Sequence, residues 1–263
     1  MSPASSSASR KTLAALLARP DVARLLAALN SNGEEARIVG GAVRDALMGW
    51  PVGDVDIATT ATPESVMVLA SRHGWKAVPT GIVHGTVTLV LDGAPFEVTT
   101  LRRDVETDGR HAVVAFSRDF AEDARRRDFT INALSLSRDG TVHDYATGIA
   151  DAAAGLVRFV GDPVQRIRED YLRILRFFRF HASHGHGQPD PAGLAAATAL
   201  APGVAQLSRE RIRQELLKLL AADGALAAVR TMAQIGLWPM IVPGSEPDIC
   251  LLYTSDAADE EDS

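Results

Sequence analysis

The chain has little of what would commit it to a membrane, an oxidising compartment or a fibrous design. One cysteine in 263 residues rules out an intramolecular disulfide framework and suits a reducing cytoplasm. No run of eighteen apolar residues occurs, so nothing reads as a membrane span. The start, "MSPASSSASRK", lacks the apolar centre of a secretory signal and is expected to form a disordered lead-in over 1–10. No internal repeat is visible, and no His-Asp pair in helical context points to an appended phosphohydrolase domain. Aromatic residues are sparse at 5%, yet 46% of the chain is hydrophobic, enough for a sizeable core and two domains at this length.

A formal net charge of −6 argues at first sight against nucleic acid. The last residues distort it. From Cys250 the chain reads "CLLYTSDAADEEDS", with five acids and no bases, and resembles a translated sequencing-library adaptor joined to a truncated reading frame. Without that stretch, 28 acids face 27 bases. Residues 158–179 hold six arginines against three acids, and Arg125, Arg126 and Arg127 are consecutive. Such clusters form either ordinary solvated helix faces or a basic surface for phosphates.

Hydrophobic spacing predicts two helices over 11–30, broken at Pro20 and Asp21. "ARIVG" reads as a buried strand, and "AVRDALMG" as a helix closed by Gly49. "VGDVDIA" reads as an alternating strand that separates Val55 and Ile57 from Asp54 and Asp56. A helix over 63–72 and strands near 75–79, 84–91 and 95–101 follow, the last two joined by the hairpin turn "LDGAP". "RRDVETDGRHAVVAFSRD" lacks clean periodicity and is expected to be a mobile loop. A helical stretch over 118–137 and a strand pair near 142–145 and 156–160 come next. From Asp162 to about residue 240 every strong pattern is helical. The expected architecture is α+β over 11–155, then an all-helical region over 156–249, with 250–263 as the suspect tail.

Within this outline "VGGAVRDALMGWPVGDVDIATT" carries the chemistry. Two carboxylates, Asp54 and Asp56, at i and i+2 on one strand face suit divalent cations that activate a hydroxyl and stabilise a leaving phosphate oxygen. Hard oxygen ligands beside phosphates point to Mg2+. The backbone N–H groups of Gly40 and Gly41 can approach a triphosphate at the start of a helix, and Arg44 lies one turn in. A tight strand-to-helix turn with two surface aspartates is the plainer alternative for each half. The combination is stronger, because an Asp pair left without a cation beside a core strand is costly. Glu97 in "PFEVTTLR", opposite in facing to Phe96 and Val98, is the best third carboxylate. His181, His184 and His186 are close in sequence but interrupted by glycine and lack a carboxylate partner, so no metal site is expected there. Cys250 carries no mechanism.

"GGAVRDALMG", "DVDIATTATPE", "FEVTTLRRD", "RRRDFTINAL", "REDYLRILRFFRF" and "LSRERIRQELLKLL" occur in the order found in class II CCA-adding enzymes and bacterial poly(A) polymerases. The resemblance covers about residues 37 to 220. It implies a polymerase β-like nucleotidyltransferase head with a mixed sheet, followed by a helical neck. It also implies template-independent addition of CCA to tRNA 3′ ends from CTP and ATP, with pyrophosphate released. On the same basis Gly41 and Arg44 contact the nucleotide, Asp54 and Asp56 hold metals, and Glu97 is the third catalytic carboxylate. Arg127 resembles a phosphate contact, and Asp128 the residue that reads the ribose hydroxyls. On one continuous helix Arg166, Glu169, Asp170 and Arg173 fall within about a 100° arc. The resemblance makes Asp170 and Arg173 a protein template for the base, with Arg176 and Arg179 supporting the pocket and phosphates. A poly(A) polymerase, or an A-adding or CC-adding specialist, shares this chemistry, and a catalytically silent RNA-binding module is the alternative of another class.

Overall fold

The computed structural model describes residues 7–82, 85–107 and 112–244. The stretch expected to be adaptor-derived, 250–263, lies outside them. The chain divides into two compact units that meet between Ala154 and Gly155.

The first unit is a seven-stranded mixed sheet with helices. Its helices are α1 (Ser7–Ala18), α2 (Pro20–Leu29), α3 (Gly41–Met48), α4 (Pro63–Arg72), α5 (Phe120–Arg125) and α6 (Gly148–Ala154). The sheet strands are β1 (Ala36–Val39), β2 (Asp56–Thr59), β3 (Lys76–Gly81), β4 (Thr86–Leu91), β5 (Ala94–Thr100), β8 (Leu134–Leu136) and β9 (Val142–Asp144). They lie in the order β3-β4-β5-β2-β1-β8-β9, while β6 (Arg102–Thr107) and β7 (Ala112–Phe116) form a separate antiparallel ribbon. Only β2 and β5 run parallel, and α4 lies in the crossover between them.

Period-two alternation sorts the sheet into two faces. Val98, Ile57, Ile38 and Leu136 fall in one register row and join the buried core formed with α1 to α4. The opposite face carries a smaller cluster of Val39, Ala58, Leu101 and Phe120. Gly49 closes α3 in the left-handed conformation (φ 75°), which favours glycine, and its N–H bonds back to the last turn. Thr62 caps α4 by accepting from the Ser65 N–H.

Several sequence expectations are corrected here. Helix α1 begins at Ser7, inside the stretch expected as lead-in, and the buried Ser9 hydroxyl donates to the Leu47 carbonyl at 2.5 Å. The segment expected as a loop after Leu101 contains the β6–β7 ribbon, where "AVVAF" supplies strand-forming residues. The helix expected over 118–137 is only α5, then a 3₁₀ turn (Thr130–Asn132) and β8. β9 pairs with β8 rather than with a strand at 156–160. β2 starts at Asp56, so Asp54 precedes the strand.

The second unit is helical: α7 (Pro163–Glu169), α8 (Leu172–His184), α9 (Pro191–Leu200), α10 (Arg209–Leu220), α11 (Ala225–Gln234) and α12 (Trp238–Ile241). Asp162, Asp190 and Ser208 cap α7, α9 and α10 through side chains that accept from backbone N–H groups three residues on. Phe159, Phe177 and Phe178 are fully buried and contact one another through their rings. Among the described residues, no helix is long and apolar enough to cross a membrane.

Candidate active site

The polar face of the sheet gathers the carboxylates. Phe96 and Val98 turn to the core, so Glu97 between them faces the other way. The parallel register pairs Ile57 with Val98; carried back one residue, it brings Asp56 next to Glu97 on the adjoining strand, and strands in a sheet run about 4.8 Å apart. Asp56 also pairs with Val39 across β1, directly before the two glycines. Desolvation by the surrounding protein and the neighbouring Glu97 charge push the Asp56 carboxyl above its ordinary value. Asp54 adds to the rise and Arg127 opposes it. All three carboxylates therefore act on one locality.

That locality suits a cation, since hard oxygens repelling one another gain from an intervening positive charge. Among the described residues no group of three or more His, Cys, Asp or Glu side chains is placed to hold a metal ion. An open set fits Mg2+, which commonly takes one or two carboxylates and completes its shell with water and phosphate oxygens.

Gly40 sits at φ 70°, ψ −129°, a conformation that L side chains rarely adopt. A Cβ there would lie 3.1 Å from the Arg127 Nη1. At Gly41 it would meet the Arg44 Nη2 at 3.4 Å. The glycines thus let two guanidinium groups approach the backbone at the start of α3. Arg44 is buried and donates to Asp45 at 2.8 Å and to the Asn132 Oδ1 at 2.6 Å. Arg127 is anchored by Asp123 through bonds of 3.2 and 3.1 Å, and its Nη1 donates to the Asn132 carbonyl at 3.3 Å. The buried Asp123 also holds Arg126. Asp128 accepts on Oδ1 from the Phe129 N–H at 2.8 Å and from the Asn132 Nδ2 at 3.1 Å. In the head, then, Gly40, Gly41, Arg44, Arg127 and Asp128 converge, with Asp56 electrostatically coupled to Arg127.

In the helical unit the expected continuous helix is broken. α7 ends at Glu169, and Asp170 is extended (φ −158°, ψ 109°). Its Oδ1 accepts from the Leu172 N–H at 3.0 Å, an alternative to helical bonding that lets α8 start afresh. Asp170 therefore leaves the arc expected on one continuous helix. Its Oδ2 is paired with Arg211 of α10 at 2.7 Å. Arg173 donates to the Glu169 carboxylate at 2.5 Å and to the Arg166 carbonyl at 2.8 Å, while Arg166 pairs with Glu169 at 2.9 Å. Arg179 and Arg176 share the buried Glu215 of α10, at 2.5 and 3.5 Å. Both also lie against the Phe180 ring. Of the three histidines, His181 is buried, and burial lowers its tendency to protonate.

Sequence reasoning passed over Asp123, Asn132, Arg211 and Glu215. Two gave a signal: Asp123 stands four residues before Arg127, and Asn132 is a polar residue inside the apolar run "FTINAL", whereas the spacing of Arg211 and Glu215 points to a pair with each other instead of to their partners Asp170 and Arg179.

Residues 36–158 match the family described as the Poly A polymerase head domain, and 188–249 match the probable RNA and SrmB-binding site of polymerase A. The mitochondrial CCA tRNA nucleotidyltransferase 1 of Danio rerio is 48% identical over 209 residues, covering 78% of this chain and 48% of that protein. The CCA-adding enzyme of Levilactobacillus brevis is 42% identical over 224 residues, covering 84% of this chain and 54% of the relative. The crystal structure of the Bacillus stearothermophilus CCA-adding enzyme in complex with CTP superposes with a TM-score of 0.79 at 38% identity. It covers 88% of this chain and 55% of that one. The chain therefore spans about half the length of the relatives it matches. Identity at this level, carried across head and neck alike, places the chain in the family of CCA-adding enzymes and poly(A) polymerases.

Proposed function

We propose that the chain is the nucleotidyltransferase part of a CCA-adding enzyme, which extends tRNA 3′ ends with CTP and ATP without a nucleic-acid template. The observation that carries this reading is the register that sets Asp56 beside Glu97, with Asp54 and Arg127 acting on the same carboxyl. Held by Asp54 and Asp56, Mg2+ would lower the pKa of the primer hydroxyl and neutralise charge on the phosphates. Glu97 is the third carboxylate of this set. The Gly40 and Gly41 backbone, Arg44 and Arg127 bind the triphosphate, and Asp128 accepts from the ribose hydroxyls. In-line attack of the primer 3′-OH on the α-phosphorus then expels pyrophosphate. The protein's contribution is positioning and charge stabilisation.

Asp170 and Arg173 read the base. C and A each present an amino donor beside an acceptor, which a carboxylate and a guanidinium complement; U and G reverse the pattern. The Asp170–Arg211 and Arg173–Glu169 pairs must yield to the base in this reading, and both pairs keep some access to solvent. Glu169 orients Arg173, while Arg176 and Arg179 support the helix through Glu215 rather than meeting phosphates themselves. The single cysteine suits a reducing compartment, and we assign the activity to the cytoplasm.

The test is to incubate tRNA transcripts ending before C, CC and CCA with Mg2+ and each labelled NTP, then sequence the products. Ordered addition of C, C and A, followed by arrest, is expected. Unlimited addition of A would favour the poly(A) polymerase reading suggested by the head-domain match. No metal-dependent incorporation on any transcript would leave an RNA-binding module.

A further inference from the structure

Three groups assigned to the nucleotide converge on one residue that lacks a role so far. Asn132 is 7% exposed. Its Oδ1 accepts from the Arg44 Nη1 at 2.6 Å, its Nδ2 donates to the Asp128 Oδ1 at 3.1 Å, and its backbone carbonyl accepts from the Arg127 Nη1 at 3.3 Å. The orientation of the amide is dictated by its neighbours. A guanidinium only donates and an ionised carboxylate only accepts, so turning the amide over would oppose donor to donor and acceptor to acceptor. A buried position between an arginine and an aspartate thus requires one donor and one acceptor at amide spacing. Asp in its place would face Asp128 with a like charge, and an apolar residue would leave two polar groups without this partner.

We propose that Asn132 is a positioning residue that sets the preference for ribose over deoxyribose, by holding the Asp128 carboxylate while it links that group to Arg44. This rests on the reading of Asp128 as the ribose contact. Oδ1 of Asp128 accepts from two protein donors, the Phe129 N–H and the Asn132 amide, which together fix the plane of the carboxylate. A fixed carboxylate rewards a hydroxyl at one place; a rotating one follows whatever sugar is present. The Arg127 bond runs to the backbone carbonyl, so side-chain substitution at Asn132 leaves that atom in the chain.

The experiment measures the affinities of CTP and dCTP for the full chain with Mg2+ by titration calorimetry, for the unsubstituted protein, Asn132→Asp, Asn132→Ala and Asp128→Ala. Both Asn132 variants are expected to lower the CTP-to-dCTP affinity ratio about tenfold, equal to about 1.4 kcal/mol. Asn132→Asp keeps an acceptor for Arg44 but no donor for Asp128, so it should weaken CTP more than dCTP. Asn132→Ala should weaken both nucleotides. If Asp128→Ala loses the ribose preference and Asn132→Asp retains it, the positioning role is overturned while the reading of Asp128 stands. If Asp128→Ala retains the preference, the ribose reading fails and the role of Asn132 falls with it. Asn132→Asp is nearly isosteric, so it decides the matter where Asn132→Ala proves too unstable to purify.

Discussion

Glu215 offers the sharpest test of how the helical unit is held. Its side chain is 7% exposed, accepts from Arg179 at 2.5 Å and forms an ion pair with Arg176 at 3.5 Å, tying α10 to α8. Removing one member of a buried pair typically costs about 3–5 kcal/mol, because the remaining charge stays desolvated. Here the Arg179 side chain is 14% exposed and that of Arg176 31%, so solvent relieves part of the penalty. We therefore expect Glu215→Ala to cost about 3 kcal/mol. Glu215→Gln, which keeps an acceptor and loses the charge assistance, should cost about 1–2 kcal/mol. Arg179→Ala added to Glu215→Ala should recover part of the loss, revealing the coupling. Because the chain has two compact units, one melting curve would mix their transitions. Native-state hydrogen exchange of the α8 and α10 amides reads the helical unit directly. About 3 kcal/mol corresponds to roughly hundredfold faster exchange through opening of that unit. Exchange within about threefold of the unsubstituted protein would refute the assignment of Glu215 as the bond between these helices.

The carboxylates and the turn make further demands. Asp54→Ala or Asp56→Ala should abolish incorporation with the fold nearly intact by circular dichroism; near-normal activity in either would remove the two-metal reading. Asp56→Asn should stabilise the metal-free protein slightly at neutral pH, by about 0.5 kcal/mol, small because Asp56 keeps access to solvent at the start of β2 although the surrounding protein desolvates it in part. The sign follows from the raised carboxyl. The penalty of the ionised form is absent below the unfolded value, grows as pH rises through the raised folded value, and is complete above it. The gain seen in urea titrations with EDTA should therefore vanish toward pH 3, and a gain that grew on acidification would contradict the cause. Gly40→Ala should cost about 1–3 kcal/mol for its backbone conformation and also weaken CTP binding by displacing Arg127; unchanged affinity would detach the turn from the triphosphate. Asp170→Ala should erode selectivity among the four NTPs more than metal-dependent chemistry, and identical relative use of all four would end the template role.

Much of the head was legible because its signals are local and periodic. The buried alternation Phe96–Val98 against Glu97, the Gly40-Gly41 turn and the Gly49 cap each follow from a few neighbouring residues. The resemblance supplied what spacing alone could not, namely roles for Arg127, Asp128 and Asp170. What stayed hidden depends on contacts between distant residues. Nothing in "RRDVETDGRHAVVAFSRD" alternates strongly enough to announce β6 and β7, which pair with each other outside the seven-stranded sheet. Glu215 looks like any charge in an amphipathic helix until Arg176 and Arg179 are found beside it.

The two helix errors each lead to an aspartate with a part in the proposed function. The expected helix over 118–137 ends at Arg125, and three residues on the Asp128 carboxylate captures the Phe129 N–H and the Asn132 amide. The expected helix through Arg166 and Arg173 fails at Asp170, whose carboxylate captures the Leu172 N–H. Aspartate competes for backbone donors in this way, which is why it is a poor helix interior residue. In both places the bond to the backbone occupies Oδ1, and the side chain is thereby fixed in direction relative to its own chain. A carboxylate on a regular exposed helix would instead sample several rotamers and lose their entropy on binding a nucleotide. The short-range bond therefore prepares a rigid acceptor at the two aspartates proposed for sugar and base, and at Asp170 it also ends the helix. A helix-restoring substitution such as Asp170→Glu keeps the charge but not this short-range bond. Its selectivity among NTPs should fall toward that of Asp170→Ala, although a carboxylate is still present.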